Sequence, residues 1–361
     1  WASGAEILTI ILTGIILLFL TRWTYVGLGS VIIFSIAATY GSYFAYSNYL
    51  SLFDATALIC SIILVSLHAY GVKFVSEFLQ KQQIKKQFGT YLSPDLVAQL
   101  QRQPELLQLG GDEKELSIMF TDVRGFTTIS EHYGKDVQGL TKIMNRYMTA
   151  MTKKILENKG TLDKYIGDAQ MAFWNAPIES VGHAKLAVKT ALEMMESLDD
   201  FNKEITAEGI PAFGMGLGIN TGTVVVGNMG SDQRFDYTCL GDAVNTASRL
   251  EGQSKNYGVR IVLGPETANQ VKDEYDVFEM DCIAVKGKTE GVRIFTIGKQ
   301  DQSQNAFLYW YYEGKWEDCI RIAKKQIDEK SPMSEYYSLM LERLEQGKPE
   351  DWHGVYKATS K

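Results

Sequence analysis

Nearly all of the unbroken hydrophobicity in this chain lies in its first 72 residues, in stretches at 6–20, 26–46 and 55–72. No other feature constrains the fold as strongly, because a helix needs about 20 mostly apolar residues to cross the hydrocarbon core of a bilayer. Each stretch is near that length, so residues 1–72 read as three transmembrane helices in a lipid bilayer. Trp1, Trp23, Tyr25, Tyr46, Tyr49 and Tyr70 stand at the ends of these stretches, where aromatic rings anchor helices at the membrane interface. Glu6 shortens the first stretch, but no basic segment precedes it and two further spans follow, so a cleaved signal peptide fits poorly.

Lys and Arg near span ends stay in the cytoplasm. Arg22 lies in the first connection, residues 47–54 carry neither Lys nor Arg, and Lys73, Lys81, Lys85 and Lys86 follow the third span. The expected placement is a multi-pass protein of the cell (inner) membrane, with the domain after the third span cytoplasmic and the chain start outside. The abrupt start at Trp1 adds the expectation of an extracytoplasmic sensor domain upstream. A transporter is disfavoured, because the spans carry no paired charges beyond Glu6 and Asp54 at their edges.

The whole chain has Lys+Arg 36 against Asp+Glu 43, a net charge of -7, and so lacks the positive field that draws a protein onto nucleic acid; no nucleic-acid partner is expected. Cys60, Cys239, Cys282 and Cys319 are far apart with no CxxC spacing, which argues against a zinc site or a disulfide framework. The histidines are equally scattered.

Residues 73–111 read as a helical connector. Phe74, Phe78, Ile84 and Phe88 recur among Lys and Gln, Gly89 marks a stop, and Ser93–Pro94 supplies the N-cap and first residue of a fresh helix. A helix that pairs two chains and a solvated surface helix are equally weighted readings. From residue 112, strands and helices alternate. An apolar run at 116–120 opens onto Thr121–Asp122, and Leu140, Ile143, Met144, Tyr147, Met151 and Ile155 recur at helical spacing within 137–156. Residues 161–166 and 171–174 flank Gly167–Asp168 as a hairpin, a second helix covers 184–201, and strands at 213–219 and 224–226 surround Thr221–Gly222. The order β-α-β-β-α-β predicts a ferredoxin-like α+β core over 112–298. Beyond it come a helix at 242–254, a strand at 260–263 and strands within 277–297 around Lys286–Gly287–Lys288. Residues 299–361 read as short helices with tetratricopeptide-like spacing. One such unit cannot form a superhelix, so a cap packed on the main domain is the favoured reading.

Two carboxylates stand out by position. Asp122 ends an apolar strand in FTDVRGFT, and Asp168 sits in the hairpin turn of DKYIGDAQMAFW, places where acidic groups converge on hard cations such as Mg²⁺. Either alone reads as a turn cap. Arg124–Gly125–Phe126–Thr127 leads into a helix, whose free N–H groups bind phosphate, and Gly125 lets the backbone approach closely. Asn245 and Arg249 are four apart in GDAVNTASRLEG, so a helix places an amide and a guanidinium on one face. Lys286, in VKGK, would add positive charge at a strand turn.

FTDVRGFT, DKYIGDAQMAFW, GINTG, FDYTCLGDAVNTASRLEG and AVKGK occur in the order and at the spacing of class III nucleotidyl cyclases, which residues 112–298 resemble. The resemblance implies a homodimeric, membrane-bound adenylyl cyclase of the kind with a CHASE-type sensor, three membrane helices and a cyclase domain. By match to the family pattern, Asp122 and Asp168 of one protomer would hold two Mg²⁺ or Mn²⁺ ions per site. The partner would direct Lys164 and Thr238 to the purine, Asn245 to the ribose, Arg249 to the α-phosphate and Lys286 to the terminal phosphates. Lys164 donates, which suits adenine N1, an acceptor, and points to ATP; guanine presents a donor there. A guanylyl cyclase and a non-catalytic nucleotide-sensing receptor remain as alternatives. A diguanylate cyclase, prompted by Gly110–Gly111–Asp112–Glu113, is disfavoured because Lys114 follows and the stretch reads as a polar turn before the first strand.

Overall fold

The computed structural model describes residues 2–51, 53–88, 109–231, 233–284 and 291–357. They fall into two compact units, Trp1–Leu92 and Ser93–Lys361.

The first unit is three helices, α1 (Ala2–Leu20), α2 (Thr24–Tyr49) and α3 (Ala55–Phe88). Of the three expected spans, α2 and the Ala55–Gln80 part of α3 are long and apolar enough to cross a membrane, whereas the apolar part of α1, Gly4–Leu20, is shorter. Glu6 lies within that segment, and its Oε1 accepts from the Asp54 backbone N–H at 3.2 Å. A small seam of Leu17, Ala38, Leu58 and Ile62 is buried, while Ile32, Ile33, Ile36, Leu64 and Leu67 point outward. Helices apolar on their outer faces suit hydrocarbon better than water. The polar groups segregate to opposite ends, Glu6 and Asp54 at one, Lys73 with its Nζ on Thr24 Oγ1 (2.7 Å) at the other. α3 does not stop at residue 72 but runs unbroken to Phe88. The expected boundary between span and connector therefore falls inside one helix, because Lys, Gln and Glu after Val72 favour helix as well as the apolar residues before them. Gly89 and Ser93–Pro94 lie outside the described residues.

The second unit is built on one mixed sheet. In chain order it contains β1 (Gly110–Arg124), α4 (Phe126–Tyr133), α5 (Val137–Glu157), β2 (Thr161–Ile166), β3 (Ala169–Trp174), α6 (His183–Ala207) and β4 (Gly214–Ser231). Then follow β5 (Arg234–Leu240), α7 (Asp242–Asn256), β6 (Ile261–Leu263), α8 (Pro265–Val271), β7 (Val277–Ala284) and β8 (Val292–Ile297). The spatial order β2-β3-β1-β4 is the ferredoxin-like α+β core; β6, β8 and β7 extend it, and β5 pairs with β4.

Alternation in β4 explains the layering. Met215, Leu217 and Ile219 face α5 and α6 and join Met119, Tyr147, Met151 and Leu198 in the main core. The opposite face carries Gly216 and Gly218, and α7 lies directly on them. A Cβ at Gly218 would stand 2.2 Å from Glu251 N and 2.4 Å from Ala247 O, so only glycine admits helix backbone this close to strand backbone.

Three local expectations change. The polar turn at Gly110–Glu113 is instead the start of β1, paired with Val225–Asn228 of β4; a Cβ at Gly227 would meet Gly110 O at 2.1 Å, so glycines let the two strands close. The strands expected at 213–219 and 224–226 are one strand, β4. Its polar middle is buried but satisfied: Thr221 Oγ1 lies 2.8 Å from Ser117 Oγ and 2.9 Å from Thr267 Oγ1, and Ser117 Oγ is 2.8 Å from His183 Nδ1. The FDYTC stretch, taken only as a motif, is strand β5.

The last helices, α9 (Gln302–Tyr312), α10 (Trp316–Asp328) and α11 (Ser334–Glu345), share a core with β7 and α7, in which Phe307, Tyr311 and Tyr336 pack with Phe278, Met280 and Leu250. A buried charge cluster ties them in. Asp281 of β7, fully buried, accepts from Arg343 Nη1 at 2.6 Å and from Tyr257 Oη at 2.5 Å. The short strand β9 (Tyr356–Lys357) adds to β7 in parallel.

Candidate active site

Asp122 lies near the end of β1, opposite Gly216 in the ladder, and Asp168 lies in the β2–β3 turn beside Gly167, whose φ of +67° a glycine adopts freely. Burial, and then the Asp168 charge, raise the Asp122 carboxyl above the usual carboxylate range, against the Val123 N–H that lies 3.1 Å from its Oδ1. The two side chains are therefore near enough to repel each other. A divalent cation bound between them would convert that repulsion into attraction, and paired carboxylate oxygens are hard donors suited to Mg²⁺ or Mn²⁺. Among the described residues no group of three or more His, Cys, Asp and Glu is placed to hold a metal, so the donor set here is the carboxylate pair.

Two neighbours of this pair were not expected from the sequence. Glu251 of α7 is pushed up to about 7, chiefly by burial and then by Asp122, with Arg124 opposing. Arg124 is anchored by its Nη2 on the Val259 carbonyl at 2.6 Å. Tyr147 lies buried among the core residues, its phenol raised by burial and by both aspartates. Glu251 stands two residues after Arg249 in the motif, but its approach to Asp122 depends on α7 lying flat on β4, which no local pattern announces.

Gly125, at φ 80°, is the N-cap of α4, and no side chain caps that helix start. Thr127 is exposed, and Phe126 joins Tyr165, Gly167 and Asp168 in the wall of a cavity of about 530 Å³. Asn245 and Arg249 sit one turn apart on α7, exposed and half-exposed. Neither side chain makes a hydrogen bond or ion pair among the described residues. Lys164 on β2 and Thr238 on β5 come together through a residue between them in space, Asp163. Its side chain is fully buried, its Oδ2 accepts from Thr238 Oγ1 at 2.5 Å, and its Oδ1 lies 3.4 Å from Lys164 Nζ. Lys164 and Asp168 thus ride one hairpin but serve different clusters, the first with Thr238, the second with Asp122. Lys286 lies outside the described residues.

Residues 111–299 match the family model described as the adenylate and guanylate cyclase catalytic domain, and the chain belongs to that family. It is 36% identical over 184 residues to adenylate cyclase 1 of Rhizobium meliloti, a match covering 51% of this chain and 27% of that protein. It is 36% identical over 191 residues to an adenylate cyclase of Anabaena cylindrica, covering 51% of this chain and 37% of that protein. The chain thus spans well under half of the length of either relative. A solved bacterial light-regulated adenylyl cyclase shares the fold at a TM-score of 0.55 and 24% identity, over 63% of this chain and 65% of that one.

Proposed function

We propose that this chain is a membrane-anchored adenylyl cyclase that converts ATP to 3′,5′-cyclic AMP and pyrophosphate at sites shared by two protomers of a homodimer. The observation that carries the reading is the division of the site residues within one chain. Asp122 and Asp168 lie close enough for their charges to repel, whereas Asn245, exposed, and Arg249, half-exposed, sit on α7 with no side-chain hydrogen bond or ion pair among the described residues. A second copy, turned about a two-fold axis, would complete each half with the other. The names of the relatives and the donor character of Lys164 favour ATP over GTP.

In this reading Asp122 and Asp168 hold two Mg²⁺ or Mn²⁺ ions, which when bound lower the pKa of the ribose 3′-hydroxyl and brace the phosphate oxygens. Lys164 and Thr238 grip the adenine edge, and Asn245 orients the ribose for in-line attack of its 3′-oxygen on the α-phosphorus. Arg249 stabilises the charge that grows on the phosphoryl oxygens in the transition state. The N–H groups after Gly125, at Phe126 and Thr127, and the Lys286 ammonium hold the remaining phosphates as pyrophosphate leaves. The apolar outer faces of α2 and α3 support anchoring in a bilayer, with α1 as the third span. Arg22 and Lys73 at one end of the bundle support a cytoplasmic location for that end and for the cyclase domain after it. The continuous α3 supports a connector that passes movement from the membrane to the dimer, since a site assembled across a seam responds to small shifts.

The test is a product assay on the full chain in membranes with ATP and with GTP, wild type beside Asp168→Ala. Cyclic AMP from the wild type, none above background from Asp168→Ala, and at least tenfold less product from GTP are expected. Absence of cyclic AMP with both Mg²⁺ and Mn²⁺ would refute the reading.

A further inference from the structure

Asp163 precedes Lys164, and its carboxylate is fully buried between the two groups just assigned to the purine. A hydroxyl is ambivalent: Thr238 on its own could donate to a guanine O6 as readily as accept from an adenine amino group. Burial raises the Asp163 carboxyl, while the Thr238 bond and the Lys164 charge oppose that shift; as the carboxylate it commits the threonine proton, with Thr238 Oγ1 donating to Asp163 Oδ2 at 2.5 Å. What remains on Thr238 Oγ1 is lone pairs. The other carboxylate oxygen, Oδ1, accepts no hydrogen bond among the described residues and stands 3.4 Å from Lys164 Nζ, so the same group attracts that ammonium by charge. The β-bulge between Leu162 and Lys164 makes this possible, since the extra residue turns Asp163 inward while Lys164 keeps its place in the ladder against Met171.

We propose that Asp163 is a specificity-determining positioning residue, which fixes Thr238 as an acceptor and Lys164 as a donor and so presents a surface complementary to the N6 amino group and N1 of adenine. Its mirror image, the acceptor O6 and donor N1–H of a 6-oxopurine, meets two unmatched contacts. The proposal rests on the assignment of Lys164 and Thr238 to the base and goes beyond it in naming the group that sets their polarity.

Asp163→Asn keeps shape and removes the charge. The Lys164 ammonium draws the amide oxygen, which leaves Nδ2 facing Thr238; that bond reverses, and the threonine proton is released toward the substrate. In the full chain in membranes, kcat/KM is measured for ATP and GTP in wild type, Asp163→Asn, Thr238→Val and Thr238→Ser. The expected result is an ATP-over-GTP ratio lowered about tenfold or more in Asp163→Asn, mostly through the KM for ATP, lowered also in Thr238→Val, and kept in Thr238→Ser. A ratio unchanged in Asp163→Asn but lowered in Thr238→Val overturns the role of Asp163 and leaves the base assignment standing. A ratio unchanged in Thr238→Val overturns the base assignment itself. Should Asp163→Asn fail to fold, the wild type decides with purine riboside triphosphate, which keeps N1 and lacks the amino group. A roughly tenfold loss against ATP supports an acceptor-only Thr238, and equal use refutes it.

Discussion

Replacing Gly218 by alanine tests how tightly the fold sets the site. The new methyl carbon would lie 2.2 Å from Glu251 N and 2.4 Å from Ala247 O, against an ordinary contact that begins at 3.4 Å. Both atoms are helix backbone, so no side-chain rotation relieves the clash; α7 must lift from β4 by more than 1 Å or tilt. That helix carries Asn245 and Arg249 and brings Glu251 toward Asp122. Overpacking of this kind costs about 1–3 kcal/mol of stability, while a displacement of about 1 Å in positioning groups costs on the order of 10²-fold in rate. Turnover of ATP at saturating metal, measured beside thermal unfolding, should therefore show kcat falling far more than the modest drop in melting temperature would suggest. A Gly218→Ala protein with wild-type kcat and an unchanged melting temperature would refute the close packing of α7 and the reasoning built on it.

Arg343→Ala should be among the most destabilising single changes in the second unit, by roughly 3–5 kcal/mol, because it strands the Asp281 carboxylate in a fully buried site; denaturant unfolding of Arg343→Ala beside the Asp281→Asn/Arg343→Met double variant should show the double losing less. His183 supplies a pH signature. Burial holds it below its ordinary 6.5, against the pull of Glu115, so the folded state binds its proton less readily than the unfolded chain. Stability from this group is complete above about 6.5 and is lost as pH falls through that value toward the lower folded one. Glu251, pushed up to about 7, acts with the opposite sign over the same range, so the His183 contribution is read as a difference: the melting temperature of the wild type relative to His183→Gln should fall from pH 7 to pH 5, and a difference that does not change with pH would contradict it.

The regular parts of the fold were legible because their periodicity is local. Met215, Leu217 and Ile219 announce a strand, and Ile143, Tyr147 and Met151 a helix, whatever surrounds them. What was not legible depends on contacts between distant segments. Thr221–Gly222 reads as a break, and only the chain of hydroxyls from Ser117 and Thr267 with His183 makes it the middle of a strand. The long motifs marked Asp122, Asp168, Asn245 and Arg249 as site residues, yet Asp163 and Glu251, within the same motifs, acquire their roles only when β5 and α7 fold against β2 and β4. The helix α3 passed through its expected boundary because hydropathy changes at Val72 while helix propensity does not.

The most direct test of a site divided between two protomers mixes two defective chains. Asp122→Ala and Asn245→Ala proteins should each be inactive alone. Co-expressed, random pairing makes half of the dimers mixed, each with one intact site, so about a quarter of wild-type cyclic AMP formation should return. Mixed dimers that form stably and make no cyclic AMP would contradict it.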